Sequence, residues 1–141
     1  MSLNQSRIDL YTFMQENWET TEIVYGPLDK RGDSLWKGDN PWIYLDVSWN
    51  QKSQQKSMSS RNVKWVTPGI FSIRVFSKAS DGEAAIYELI DSILAIFKNK
   101  AISNMTFTRF SPSKVVENDS GWLVCTINLS FQMTTENDLQ V

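Results

Sequence analysis

From Leu123 to Met133 every second residue is apolar: Leu123, Cys125, Ile127, Leu129, Phe131 and Met133. Thr126, Asn128, Ser130 and Gln132 stand between them. Successive side chains of a β-strand point to opposite faces, so this spacing predicts a strand over Trp122–Met133 with one buried face and one polar face. Alternating rather than continuously apolar strands belong to an antiparallel sheet covered on one side. A chain containing such a segment must supply both the neighbouring strands and a covering layer.

Both are readable. Pro41 to Asn50 alternates in the same way, with Pro41, Ile43, Leu45, Val47 and Trp49 opposite Asp46, Ser48 and Asn50. Thr20–Tyr25 is a short β-branched run ended by Gly26-Pro27. Val63–Thr67 and Ile70–Ser77 read as two strands broken at Pro68-Gly69, and Met105–Phe110 and Val115-Val116 as two more. Ser2–Trp18 places Leu3, Leu10, Tyr11, Met14 and Trp18 near one helical face. Ser80-Asp81-Gly82-Glu83 has the spacing of a capping box, and Ile86, Leu89, Ile90, Ile93, Leu94 and Phe97 follow at helical spacing. Acidic residues at that helix's start and Lys98 and Lys100 at its end suit its dipole. The expected fold is α+β: a mainly antiparallel mixed sheet with two helices packed on one face. The expected element order is α-β-β-β-β-α-β-β-β.

With 141 residues, 41% of them apolar, the chain has the size of one domain with one core. Residues 1–141 are read as that single domain. Leu28–Asn40, with Gly32 and Gly38, reads as an exposed loop. Residues 51–61 read as a mobile basic loop or a polar hairpin tip, and residues 134–141 as a frayed tail. No apolar run reaches the ~20 residues that cross a bilayer, so no membrane contact is expected. Met1–Leu10 lacks the basic-then-apolar order of a secretory leader, which points to a cytoplasm-like compartment.

Histidine is absent from the chain. Ser-His-Asp triads, Cys-His pairs and His-ligated zinc are thereby excluded together. Cys125 is the only cysteine, so no intrachain disulfide forms, and its alternating apolar context marks a core thiol. The glycines form no phosphate-cradling loop, and Asp29, Asp33 and Asp39 lack calcium-loop spacing. No cofactor or metal and no catalytic residue is expected. A net charge of −2 does not fit a dedicated nucleic-acid binder.

Two groups remain as candidate contact residues. Trp42, Tyr44 and Trp122 fall on the faces of their strands opposite the apolar ones, where aromatic side chains serve protein contacts or stack on sugars and bases. Lys52, Lys56 and Arg61 lie in an acid-free stretch, where charge alone would meet an acidic partner or a nucleic-acid backbone.

Several segments together carry a resemblance. Trp18-Glu19-Thr20-Thr21, Val24-Tyr25-Gly26-Pro27 and Asn40-Pro41-Trp42-Ile43 are followed by Pro68-Gly69-Ile70-Phe71-Ser72-Ile73-Arg74-Val75. After these come a turn with Gly82 and a helix ending Ile96-Phe97. Over roughly residues 7–133 this pattern resembles the tail terminator proteins of long-tailed, lambda-like bacteriophages. The resemblance implies a non-enzymatic virion subunit, made in the host cytoplasm, that assembles into a ring, commonly a hexamer. Such a ring caps the tail tube protein, ends tail polymerisation and joins the head–tail connector protein, with passive DNA contact in its lumen.

The resemblance also admits a different head–tail joining or minor tail protein. Two other classes stay open on the residues. One is a carbohydrate- or ligand-binding module using the tryptophans. The other is a small enzyme working through carboxylates.

Overall fold

The alternating segment Trp122–Met133 lies in one of the two longest strands among the described residues. In a computed structural model, which describes residues 3–26, 40–49, 54–58, 62–98 and 100–138, ten elements of helix and strand follow in chain order. They are α1 (Leu3–Asn17), β1 (Glu22–Tyr25), β2 (Trp42–Trp49), β3 (Gln54–Met58) and β4 (Asn62–Lys78). After a 3-10 turn at Ala79–Asp81 come α2 (Glu83–Phe97), β5 (Ala101–Ile102), β6 (Met105–Pro112), β7 (Val116–Glu117) and β8 (Trp122–Asp138).

β4 and β8 form an antiparallel pair over their full length, from Asn62 opposite Asp138 to Lys78 opposite Trp122. The sheet is built outward from this pair in the order β1-β2-β4-β8-β6-β5. β3 lies beside the start of β4, and β7 beside the start of β8. Only the β1–β2 pairing is parallel. The fold is therefore the expected α+β arrangement, with a mixed, mainly antiparallel sheet.

Register explains where the core sits. Ile43, Val75 and Cys125 stand in one row across β2, β4 and β8, and Leu45, Ile73 and Ile127 in the next. All six are buried, and they join one cluster with Leu10, Tyr11 and Met14 of α1 and Ile86, Ile90, Ile93 and Phe97 of α2. Both helices thus cover the same face. Phe97 holds the layers together, with ring contacts to Phe13 of α1 at 5.2 Å, Phe71 of β4 at 6.0 Å and Phe107 of β6 at 5.3 Å.

Five local expectations are corrected. β4 runs unbroken through Pro68-Gly69. Pro68 pairs with Gln132 of β8, and on the other side of β4 it lies between Val66, the last residue paired with β3, and Gly69, the first paired with β2, with no strand partner there among the described residues. The capping box does not form: the chain makes a 3-10 turn and passes through Gly82 at φ 86°, and α2 starts at Glu83 without a side-chain cap. On α1, Ser6 rather than Leu3 belongs to the buried stripe, and its hydroxyl donates to Met133 Sδ at 2.8 Å. Of the two readings of 51–61, the mobile loop gives way to the hairpin: Gln54–Met58 is a strand paired antiparallel with Val63–Val66. Within the supposed tail 134–141, β8 continues to Asp138, paired with β4. Residues 51–53, 59–61 and 139–141 lie outside the described residues, as does most of the 28–40 loop.

Candidate functional site

The face of the sheet away from the helices is where Trp42, Tyr44 and Trp122 were expected to meet a partner. The register does bring them to one end of that face. Trp42 pairs with Phe76, Tyr44 with Arg74, and Trp122 with Lys78, in adjacent rows. Two of the three are nevertheless interior. Trp42 is 6% and Tyr44 8% exposed. The indole of Trp42 stacks on the Phe76 ring, centroids 4.0 Å apart and planes within 3°. Tyr44 lies under the Arg74 guanidinium at 5.6 Å, and its hydroxyl occupies the space a side chain at Gly26 would need. Their aromatic surface is consumed within the chain, so neither offers itself to a partner. Trp122 is half-buried beneath the Lys78 ammonium, 4.7 Å from its ring centroid, a contact worth about 0.5–1 kcal/mol at a surface.

Lys56 does not join this group. Lys52 and Arg61 lie outside the described residues. Lys56 is on β3, at the Val63–Val66 end of β4, whereas the aromatics gather at its Phe76–Lys78 end. Of the described candidates, Lys56 therefore lies apart from Trp42, Tyr44 and Trp122.

Between these ends the open face is polar and nearly flat in chemistry. Asp46, Ser72, Asn128 and Ser111 form one row across four strands, and Ser48, Ile70, Ser130 and Arg109 the next. Ser72 Oγ donates to Asn128 Oδ1 at 2.8 Å, and Asp46 Oδ1 accepts from the Val47 N–H at 2.9 Å. The polar positions of each strand were visible in the sequence. Their alignment into rows was not, since it depends on register between residues as distant in sequence as Ser72 and Asn128, 56 positions apart.

The sheet edges supply the features that sequence reasoning missed. β5 covers only Met105 and Thr106 of β6. From Phe107 to Pro112 that edge has no strand partner among the described residues, and Thr108 to Pro112 are all exposed. The other edge is β1, with Glu22 and Tyr25 exposed and no strand beyond it among the described residues.

An open groove of about 310 Å³ runs between α1 and the turn after β5, lined by Asp9, Phe13, Glu16, Lys100 and Ser103 among others. Among the described residues no three Cys, Asp or Glu side chains gather as a metal site. Cys125 is 1% exposed, its thiol donates to the Ser113 carbonyl at 3.3 Å, and burial pushes its pKa up, away from the thiolate. No described helix is long and apolar enough to cross a membrane. Comparison of the sequence with models of known protein families and with curated proteins finds no match.

Proposed function

We propose that this chain is a structural, non-catalytic subunit of a phage tail, which assembles with copies of itself into a ring, caps the tail tube, ends its polymerisation and presents the joining surface for the head. One observation carries this reading: a broad sheet is covered by helices on one side only, and both of its edges are left without strand partners among the described residues. Such a subunit offers area and edges, the currency of assembly, in place of an enclosed pocket. The pattern of residues that resembles tail terminators runs through these same elements, from α1 to β8.

The arm formed by β3, Asn62–Val66 of β4 and Thr134–Asp138 of β8 supports a second contact. It extends past the last residues paired with β2 and β6. With Lys56 on it and Lys52 and Arg61 beside it in sequence, it would meet acidic groups of a neighbouring ring or DNA passing through the lumen. The sugar-binding reading loses ground, since Trp42 and Tyr44 are buried within the chain.

The test is electron microscopy of the purified protein added to tail tubes. A ring at one end of each tube is the expected result. Binding along the whole tube, or nowhere on it, would contradict the proposal.

A further inference from the structure

The two open edges of the sheet are chemically complementary. On β1, Glu22 and Val24 share the open face, since they pair with Trp42 and Tyr44. Ile23 and Tyr25 share the helix-covered face, and Tyr25 is 41% exposed. On β6, Arg109 and Ser111 share the open face through their pairing with Ser130 and Asn128. Phe110 falls on the helix-covered face opposite Leu129, and it is 37% exposed. The charges on the two edge strands differ in sign: Glu22 is exposed on β1 and Arg109 on β6, with Lys114 and Glu117 both exposed beyond the end of β6.

We infer that the β1 edge of one copy docks antiparallel on the β6 edge of a second copy, extending the sheet from subunit to subunit. This inference rests on the self-assembly reading above and assigns the edges that reading leaves open. Strand directions favour it. β1 runs parallel to β2 and antiparallel to β4, and β6 is antiparallel to β8, so β1 and β6 already run in opposite senses within one sheet. A copy added by rotation therefore meets β6 with an antiparallel β1. With Ile23 opposite Phe110, Tyr25 lies diagonal to Phe110 on the helix side, and Glu22 lies diagonal to Arg109 on the open side. Diagonal cross-strand neighbours stand about 7–8 Å apart at their Cα atoms, within reach of aromatic and long charged side chains.

The β6 edge is also guarded in a way that selects a short partner. A bulge between Phe107 and Arg109 interrupts its ladder, and Pro112 ends it without an N–H. Both features disfavour unlimited edge pairing. They leave a short window, and β1 is four residues long. The contact joins two different patches, the heterologous arrangement that gives a ring when the rotation between copies divides a full turn.

Glu22→Arg and Arg109→Glu, each at an exposed position, test this by sedimentation at increasing concentration. Each variant alone should associate at least about tenfold more weakly than the parent, because a like-charge contact replaces an opposite one. An equimolar mixture of the two, and the double variant, should recover association. Wild-type behaviour of both single variants would overturn the assignment. So would loss in Arg109→Glu alone, which would give the β6 edge to a different protein or to the β6 of a second copy. A parent that stays monomeric at every concentration would also overturn it. If the single variants still form rings on tube ends, the edge assignment fails while tube capping stands; if the parent forms none, tube capping itself fails.

Discussion

The ring of Phe131 on β8 occupies the space that a β-carbon on its cross-strand partner Gly69 would fill. Phe131 is 1% exposed and held edge-on by Trp49 at 5.2 Å and Phe107 at 6.0 Å, so it has little room to withdraw. Gly69→Ala should therefore cost about 1–3 kcal/mol by overpacking. In a Phe131→Leu background the same substitution should cost clearly less. Urea denaturation of the four proteins in that cycle measures the coupling. Equal costs in both backgrounds would mean that the glycine answers to something other than the ring.

Tyr11 ties α1 to the β1–β2 corner. Its hydroxyl donates to the Gly26 carbonyl at 3.2 Å. Burial, and after it the Asp46 carboxylate, push its pKa from 10.0 up to about 12. The folded state thus keeps a proton that the unfolded chain releases first, and stability falls with rising pH wherever the folded state binds more protons. The contribution is fully present below pH 10 and lost as pH rises through about 12. Tyr11→Phe should flatten this alkaline loss and cost about 0.5–1.5 kcal/mol at neutral pH for the missing hydrogen bond. Thermal melts from pH 8 upward are the check, and an unchanged alkaline slope in the variant would contradict this account.

Much of this architecture was legible because burial in a one-sided sheet imposes a period of two. Leu123, Cys125, Ile127, Leu129, Phe131 and Met133 are all buried as their alternation requires. The stripe Ile86, Leu89, Ile90, Ile93 and Phe97 is buried likewise. What failed was local punctuation read without tertiary context. Pro68 looks like a breaker until β8 is seen to pair across it, and only pairing with β4 decides between loop and hairpin for the polar 54–58 run. The candidate site failed differently. Trp42 and Tyr44 stand at alternating positions that do point away from the helices, but alternation cannot reveal that Phe76 and Arg74 lie beside them to cover them. Edge exposure at Phe110 and Tyr25 depends on strand order, which no single segment encodes.

Ser77 is fully buried on β4, and its hydroxyl has no hydrogen-bond partner among the described residues. A buried polar group left unsatisfied costs about 1–3 kcal/mol. Ser77→Ala should accordingly be neutral or stabilising, by up to about 1 kcal/mol after the small loss of packing. Calorimetry of the variant decides it, and a drop in melting temperature would show that the hydroxyl has a role in the fold.

The β3 strand makes a kinetic prediction. Among the described residues it pairs with β4 alone, from Gln54 opposite Val66 to Met58 opposite Val63. Only the N–H groups that face β4 should be slow in hydrogen exchange, alternating with fast ones. Uniformly fast exchange over residues 54–58 would restore the loop reading of this segment.

The central claim is that this subunit ends tube growth and joins tail to head without performing chemistry. A terminator must bind a finished tube end more favourably than the next tube subunit does, and this requires only a complementary surface presented by a closed ring. The direct measurement is electron microscopy of lysates in which the gene carries an early stop codon. Overlong tails without heads are the predicted result. Tails of normal length attached to heads would contradict the account, and tails of normal length left unattached would move the subunit to a joining role on the head side.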